Sequence, residues 1–276
     1  MEKVSIYVPT HNRKNLVVKA VNSCLSQTYH NIEVIVCDDG STDGTYSNLE
    51  KLYEKDERFI LIRNDFPQGA CVARNKAINV ASGRYVTGLD DDDEFLPDRI
   101  ERLIRAYRTD LSFVCSDFII KGENKESIFY NSKKDKLFDY KDLILINQAT
   151  NQVFTELWKI KKIGGFDPSF KKYQDWNVWL RLSRRFGSFL RIKEPTYIMH
   201  DDNQINRVSL SGKHSSAYSF LIEKNSDLLD NEDRAITSYA VHRGVKDLIK
   251  LATIKDTYKK HSVNLSKIMA KSLIRR

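Results

Sequence analysis

The chain has 276 residues, 41% of them hydrophobic and 30% charged, which suffices for a proper core in one large domain or in a domain with an appendage. No window approaches the roughly 20 apolar residues of a membrane-spanning helix, and the short apolar run after residue 3 is followed by Pro9 and Asn12, unlike a signal peptide. The net charge of +8 is concentrated at one end: residues 246–276 hold nine Lys and Arg against two Asp, a net +7, and the remaining chain carries only +1. Such a tail points to contact between one end of the molecule and an anionic surface, membrane or nucleic acid.

In chain order, residues 4–8 (Val-Ser-Ile-Tyr-Val) form a β-rich run ending at Pro9-Thr-His-Asn12. Leu16, Val17, Ala20, Val21, Cys24 and Leu25 then recur with helical period. Residues 34–37 are wholly apolar, as in a strand covered on both faces. The acidic loop CDDGSTDGTYSNLE (37–50) follows, with a helical pattern running to Tyr53. Residues 59–62 predict a third strand, 69–81 a helix, and 84–89 a fourth strand that ends at Asp90-Asp-Asp-Asp-Glu94. Strands alternating with helices at this spacing predict a mostly parallel α/β sheet, with the polar clusters just past the strand ends, where open α/β sheets place their ligands.

From about residue 110 the pattern loosens. Residues 111–120 read as a further strand, 121–139 as a loop or hairpin excursion, and 152–160 as an alternating strand. A turn follows at 164–168, then a helix over 175–186, a short strand at 197–200, and mostly helix from 215 onward. Cys24, Cys37, Cys71 and Cys115 stand in apolar contexts without C-x-x-C spacing, as reduced, buried thiols of a cytoplasmic protein would.

From Asp39 the acidic loop fits the spacing of an EF-hand calcium site. An EF-hand needs a helix on each side, and Asp39 instead follows three β-branched residues, so a strand-end turn presenting Asp38 and Asp39 to a ligand is the better reading. Asp39, Ser41 or Asp43 also fits as a helix N-cap. The run Leu89–Asp98 is the strongest signal. Five consecutive carboxylates after an apolar strand repel one another unless a cation lies among them. Hard oxygen ligands suit Mg²⁺ or Mn²⁺, with positions kept for water and phosphate oxygens. A solvated acidic turn capping the next helix is the alternative.

Taken in order, Val4-Ser-Ile-x-x-Pro-Thr-x-Asn12, Asp38-Asp-Gly-Ser-Thr-Asp43, Gly69-x-x-x-Ala-Arg-Asn75 and Leu89-Asp-x-Asp-Asp93 resemble the motifs of family-2 glycosyltransferases with the GT-A fold. Gly164-Gly-Phe-Asp167 and Gln174-Asp-Trp-x-x-Trp-Leu-Arg181 extend the resemblance, which covers roughly residues 3–210 and points to enzymes of bacterial O-antigen and capsule assembly. It implies a GT-A catalytic domain over 1–212, with a nucleotide-sugar half (1–98) and an acceptor half (99–212), and a helical basic extension over 213–276. It also implies a UDP-sugar donor and Mn²⁺ or Mg²⁺ held by Asp92, with Asp90 nearby, as Lewis acid for the leaving diphosphate. Asp91 and Asp93 would contact the metal's waters or the sugar and ribose hydroxyls. Asp39, beside Asp38, matches the carboxylate that reads the base; Pro9, Thr10 and Asn12 would line the base and ribose pocket, and Arg74 would lie near the base and phosphates.

On the acceptor side, the resemblance makes Asp175 the general base for the acceptor hydroxyl, in a single displacement that inverts the anomeric carbon. The family usually has Glu-Asp where this chain has Gln174-Asp175, a departure expected to tune the site rather than disable it. Trp176, Gln174 and Asp93 are expected at the acceptor, and Trp179, on an apolar stripe, in the core. His200 lies where some relatives place a third metal or diphosphate contact, and Arg207 on a lid over the diphosphate.

In the tail, Leu265, Ile268, Met269 and Leu273 share one helical face, with Lys267, Lys271 and Arg275 on another. That pattern suits an anionic leaflet, or a helix packed on its own domain. The expectation is an inverting, metal-dependent transferase that moves galactose or glucose to a lipid-linked saccharide at the inner face of the cytoplasmic membrane. The acidic cluster alone also allows a metal-dependent phosphohydrolase or nucleotidyltransferase. A nucleic-acid-binding protein could use the basic tail, but no recognised binding motif accompanies it.

Overall fold

The computed structural model describes residues 1–150, 153–201 and 214–243. In its first half, β1 (Val4–Thr10), α1 (Lys14–Leu25), β2 (Ile32–Asp39), α2 (Thr45–Tyr53), β3 (Phe59–Asn64), α3 (Ala70–Val80) and β4 (Tyr85–Gly88) alternate as the sequence predicts. The strands lie in the order β4-β1-β2-β3, all parallel. Every residue of β1 and β2 is buried, because both faces of the sheet are covered. Side chains alternate across the pleat, so Tyr7, Ile35 and Cys37 pack with Ala73 and Ala77 of α3, whereas Ile6, Val8, Val34 and Val36 pack with Val17, Ala20 and Val21 of α1. The register sets Thr10 beside Asp38 and Tyr7 beside Gly88, which brings the carboxyl ends of three strands, and the polar motifs behind them, to one edge.

The second half continues with β5 (Glu94–Phe95), α4 (Arg99–Ala106), β6 (Val114–Ser116), β7 (Phe118–Lys121), β8 (Glu126–Phe129), β9 (Lys136–Phe138), α5 (Tyr140–Leu145), β10 (Thr155–Glu156), α6 (Leu157–Lys162), α7 (Gln174–Phe186), β11 (Phe189–Ile192) and β12 (Tyr197–His200). β10 joins the main sheet antiparallel to β4. Two smaller sheets, β6-β11-β9 and β5-β12-β7-β8, complete the mixed architecture. The stretch 111–120 is two strands in different sheets, divided at Asp117, whose buried carboxylate receives Ser132 and faces Arg191 at 3.3 Å. The stretch 152–160, expected as one strand, is a two-residue strand followed by α6. Lys159 accounts for the difference: its Nζ turns inward to Tyr107 Oη and Leu111 O, both at 2.7 Å, and to Glu156 at 3.2 Å, contacts that outweigh the local alternation.

Last come α8 (His214–Lys224) and α9 (Asn231–Arg243). Tyr218, Leu221 and Leu229 enter the same core as Trp176 and Trp179, so α8 and the turn after it pack against α7. Arg207 and the basic amphipathic segment 265–275 lie outside the described residues. All four cysteines are free and buried. Among the described residues no helix is long and apolar enough to cross a membrane.

Candidate active site

The loops after β1 and β2 are fastened to each other. Asn12 holds a left-handed conformation at φ 52, which Asn tolerates better than most residues. Its backbone N–H donates to Ser41 Oγ and its Oδ1 accepts from the Thr42 N–H, both at 2.8 Å. Asp38 is fully buried, accepts from Ser41 N and lies 3.3 Å from Arg63 Nε. Asp39 accepts from Asn64 Nδ2 at 2.7 Å and from the Gln68 and Gly69 N–H groups. It thereby places a carboxylate at the amino end of α3, where the helix dipole favours negative charge. This is no EF-hand: Asp39 ends a strand, and its oxygens serve the loop before α3.

In the run 90–93 each carboxylate has a positive or hydrogen-bonding partner from the protein itself. Arg74 Nη2 meets Asp90 Oδ1 at 2.9 Å. Arg13 Nη1 lies 2.9 Å from Asp91 Oδ1 and 2.7 Å from Asp92 Oδ2. Thr10 Oγ1 donates to Asp91 Oδ2 at 2.8 Å, and Asp93 accepts from Tyr197 Oη at 2.6 Å and His200 N at 3.0 Å. Burial pushes Asp91 up to about 6 against the pull of Arg13, and burial with the charges of Asp90 and Asp92 pushes Asp93 well above the usual carboxylate range. The repulsion among these acids is therefore relieved by two guanidinium groups, not only by an added cation. Among the described residues no three His, Cys, Asp or Glu side chains converge as a closed metal cage. Asp90 and Asp92, hard oxygen donors with side chains 26% and 12% exposed, fit instead a Mg²⁺ or Mn²⁺ ion completed by phosphate oxygens and water.

Facing this edge is the head of α7. Tyr173, left-handed at φ 58, turns the chain into the helix, and Asp175 sits in its first turn. Burial raises Asp175 to about 6, while Arg74 and a hydrogen bond from Asn147 Nδ2 at 2.9 Å favour its ionised form. Arg74 joins the two clusters. Besides Asp90 it donates through Nη1 to Gln174 Oε1 at 2.6 Å, and its guanidinium lies 5.2 Å from the Phe166 ring centroid. A carboxylate poised near neutrality thus stands one residue from the partner of a cation that also holds the acidic strand end.

The sequence pattern of glycosyl transferase family 2 matches residues 5–170. The chain belongs to that family. WcaA of Escherichia coli K12, named for glycosyl transfer in colanic acid biosynthesis, is 32% identical over 248 residues, 87% of each chain. WfaP of Escherichia coli, a UDP-Glc:alpha-D-GlcNAc-diphosphoundecaprenol beta-1,3-glucosyltransferase, is 42% identical over 129 residues, 44% of this chain and 51% of its own. The chain thus spans most of the first relative and about half of the second. The Staphylococcus aureus TarS 1–349 structure in complex with UDP-GlcNAc superposes with a TM-score of 0.70 at 17% identity, over 85% of this chain and 70% of that one. The protein is a glycosyltransferase with the GT-A fold, which replaces the phosphohydrolase and nucleotidyltransferase alternatives.

Within this family-2 enzyme, the ordered motifs do meet at one edge: Pro9, Thr10 and Asn12, Asp38 and Asp39, Arg74, Asp90 to Asp92, Gln174 and Asp175. Three expectations need correction. Asp93, expected at the acceptor, is 3% exposed and spends both oxygens tying the acidic turn to β12. Asp91, expected at metal waters or sugar hydroxyls, is buried between Thr10 and Arg13. Trp176, expected to meet the acceptor, is a core residue: its indole N–H donates to Leu143 O at 2.6 Å and Tyr173 and Tyr218 pack on its ring. Trp179 is in the core as expected. His200 borders a small cavity with Asp92, Asp93 and Glu94, but its Nε2 is 2.7 Å from Glu94 Oε1. Sequence reasoning passes over Arg13 and Asn147, because the pairings that distinguish them span 78 and 28 residues.

Proposed function

We propose that this enzyme transfers a hexose from a UDP-sugar to a lipid-linked saccharide during assembly of a bacterial surface polysaccharide, with inversion at the anomeric carbon. The observation that carries the reading is the Asp90–Arg74–Gln174 chain of contacts, which brings the acidic strand end and the base-bearing head of α7 to one place. TarS with UDP-GlcNAc supports the uridine donor, and WfaP, by its name, supports both UDP-glucose and a diphosphoundecaprenol-linked acceptor. Glucose or galactose is the sugar.

In this scheme the ionised Asp175 accepts the proton of the acceptor hydroxyl as its oxygen attacks the anomeric carbon. The bond to the diphosphate oxygen breaks in the same displacement, UDP leaves with the electron pair, and an α-linked donor yields a β-glycoside. Arg74 and Arg13 supply positive charge beside the departing diphosphate. Asp92 and Asp90 would hold Mn²⁺ or Mg²⁺, which as a Lewis acid would stabilise the leaving group. Pro9, Thr10, Asn12, Asp38 and Asp39 form the base and ribose side, where Asp39 would share its carboxylate between the base imide and its three protein donors. His200 would join as a further ligand on leaving Glu94. Residues 1–98 are assigned to the donor and 99–212 to the acceptor. The basic segment within 213–276 supports a peripheral place on the inner face of the cytoplasmic membrane, next to such an acceptor.

The test is calorimetric titration of UDP, GDP and dTDP with and without Mn²⁺, in the wild type and Asp92→Ala, followed by transfer from UDP-glucose and UDP-galactose to a synthetic lipid-diphosphate GlcNAc. UDP binding that Mn²⁺ strengthens only in the wild type, with a β-linked product, is expected. Absence of binding by every nucleotide in both conditions would remove the donor site from this edge.

A further inference from the structure

Arg13 occupies the residue before α1, the helix N-cap, yet makes no capping hydrogen bond. Ser, Thr, Asp or Asn is the usual residue there, the Lys14 N–H goes instead to Asp43 Oδ2 at 3.2 Å, and a cation at the amino end of a helix opposes its dipole. Local rules broken without a local gain mark positions held for another purpose. The compensation for Arg13 lies across the edge of the sheet, where a single guanidinium nitrogen sits 2.9 Å from Asp91 and 2.7 Å from Asp92. That nitrogen stands where a divalent ion bound to Asp92 would repel it. The two active-site arginines are also held differently. Arg74 is tied to Asp90 and to Gln174 and lies against the Phe166 ring, with a side chain 12% exposed. Arg13 has a side chain 27% exposed and forms ion pairs with the two carboxylates.

We propose that Arg13 is an internal counter-cation that holds Asp92 closed to a divalent metal until a nucleoside diphosphate arrives. The inference rests on the donor-site reading above. A guanidinium forms bidentate, charge-assisted pairs with phosphate as readily as with carboxylate, so an incoming diphosphate offers Arg13 a competing partner. Its departure leaves Asp92 to the metal, whose remaining ligands the same diphosphate supplies. Metal and nucleotide then favour each other's binding by equal factors, as linkage requires. Metal alone meets a carboxylate already neutralised.

The experiment titrates Mn²⁺ into the wild type, Arg13→Gln and Arg13→Lys, reading free Mn²⁺ by electron paramagnetic resonance, without nucleotide and again with UDP. Arg13→Gln is expected to bind Mn²⁺ without nucleotide about tenfold more tightly than the wild type, and UDP then to add a correspondingly smaller factor. Arg13→Lys, which keeps the charge but loses the fork, is expected to gain about threefold, and it decides the matter if the Gln variant does not fold. Thermal melting adds a second readout: Arg13→Gln should melt below the wild type without metal and recover with Mn²⁺. Equal nucleotide-free Mn²⁺ affinity in the wild type and the folded variants, with UDP still enhancing it in all, overturns the role of Arg13 and leaves the donor site standing. Failure of the wild type to bind UDP at all removes the donor site and this inference together.

Discussion

Asn147 Nδ2 donates to Asp175 Oδ2 at 2.9 Å, and the same amide reaches Thr150 O at 3.1 Å. Asn147 Oδ1 accepts from Ala149 N, so the side chain is fixed at both ends. The loop bearing it is itself held, by Trp179 Nε1 on Thr150 O and by Arg191 Nη1 on Gln148 O. Asp175, the proposed general base, is thus aimed by a separate loop as well as by its own helix. Asn147→Ala is expected to lower kcat about tenfold while UDP affinity stays within about twofold. Steady-state kinetics beside calorimetry check this; a parallel fall in UDP affinity would mean a collapsed site, not a misdirected base.

Burial places Asp175 near 6, above its ordinary 3.8, and this has two consequences of opposite sign. As the proposed base it would work ionised, so transfer should fall about tenfold per unit below pH 6. For stability the fold prefers the protonated form: the contribution is fully present below 3.8 and is lost as pH rises through 6. Asp175→Asn should therefore cut transfer at least about a hundredfold, yet melt a few degrees higher than the wild type at pH 7.5 and no higher below pH 4. Melting shifts of equal size at both pH values would contradict burial as the cause.

Gln174 marks where this chain departs from the usual Glu-Asp pair, and its Oε1 accepts from Arg74 at 2.6 Å. Gln174→Glu puts a second negative charge beside Asp175 and strengthens the hold on Arg74. The neighbouring charge raises Asp175, so the acidic limb of the pH–rate profile should move up by about half a unit to one unit. An unmoved limb would show that Arg74 absorbs the added charge completely.

The parallel half of the fold is legible because its strands are continuous apolar runs between amphipathic helices, and the gathering of polar motifs at one edge because they stand just past strand ends. Contacts across that edge are another matter. Arg13 looks like any surface cation until the β1–β4 register brings Asp91 and Asp92 to it. Four adjacent carboxylates suggest a metal, but pattern cannot reveal which of them are already neutralised from elsewhere in the chain. Trp176 misleads for a similar reason: its place beside Asp175 is local, whereas two of the partners that bury its ring, Leu143 O and Tyr218 on α8, lie far along the chain. The two-residue β10 fails as a pattern because a buried lysine, with partners some 50 residues away, bends the chain into α6.

Glu33 lies opposite Ser5 in the β1–β2 pair and is 3% exposed. Burial alone would raise its pKa, but Lys3 Nζ at 2.5 Å, Ser5 Oγ at 2.6 Å, Ser82 N at 2.7 Å and Ser82 Oγ at 2.8 Å hold it down to about 2. A lowered folded-state pKa stabilises above the ordinary 4.5, and the contribution is lost as pH falls toward 2. Glu33→Gln keeps the shape but removes the charge that those donors serve, so it should cost about 2 kcal/mol at pH 7. Urea unfolding of both proteins at pH 7, 5 and 3.5 measures the difference, which should shrink as the wild-type carboxylate begins to protonate in the unfolded chain. A difference that stays constant across this range would trace the loss to packing at the amino ends of β1 and β2, with the charge contributing nothing.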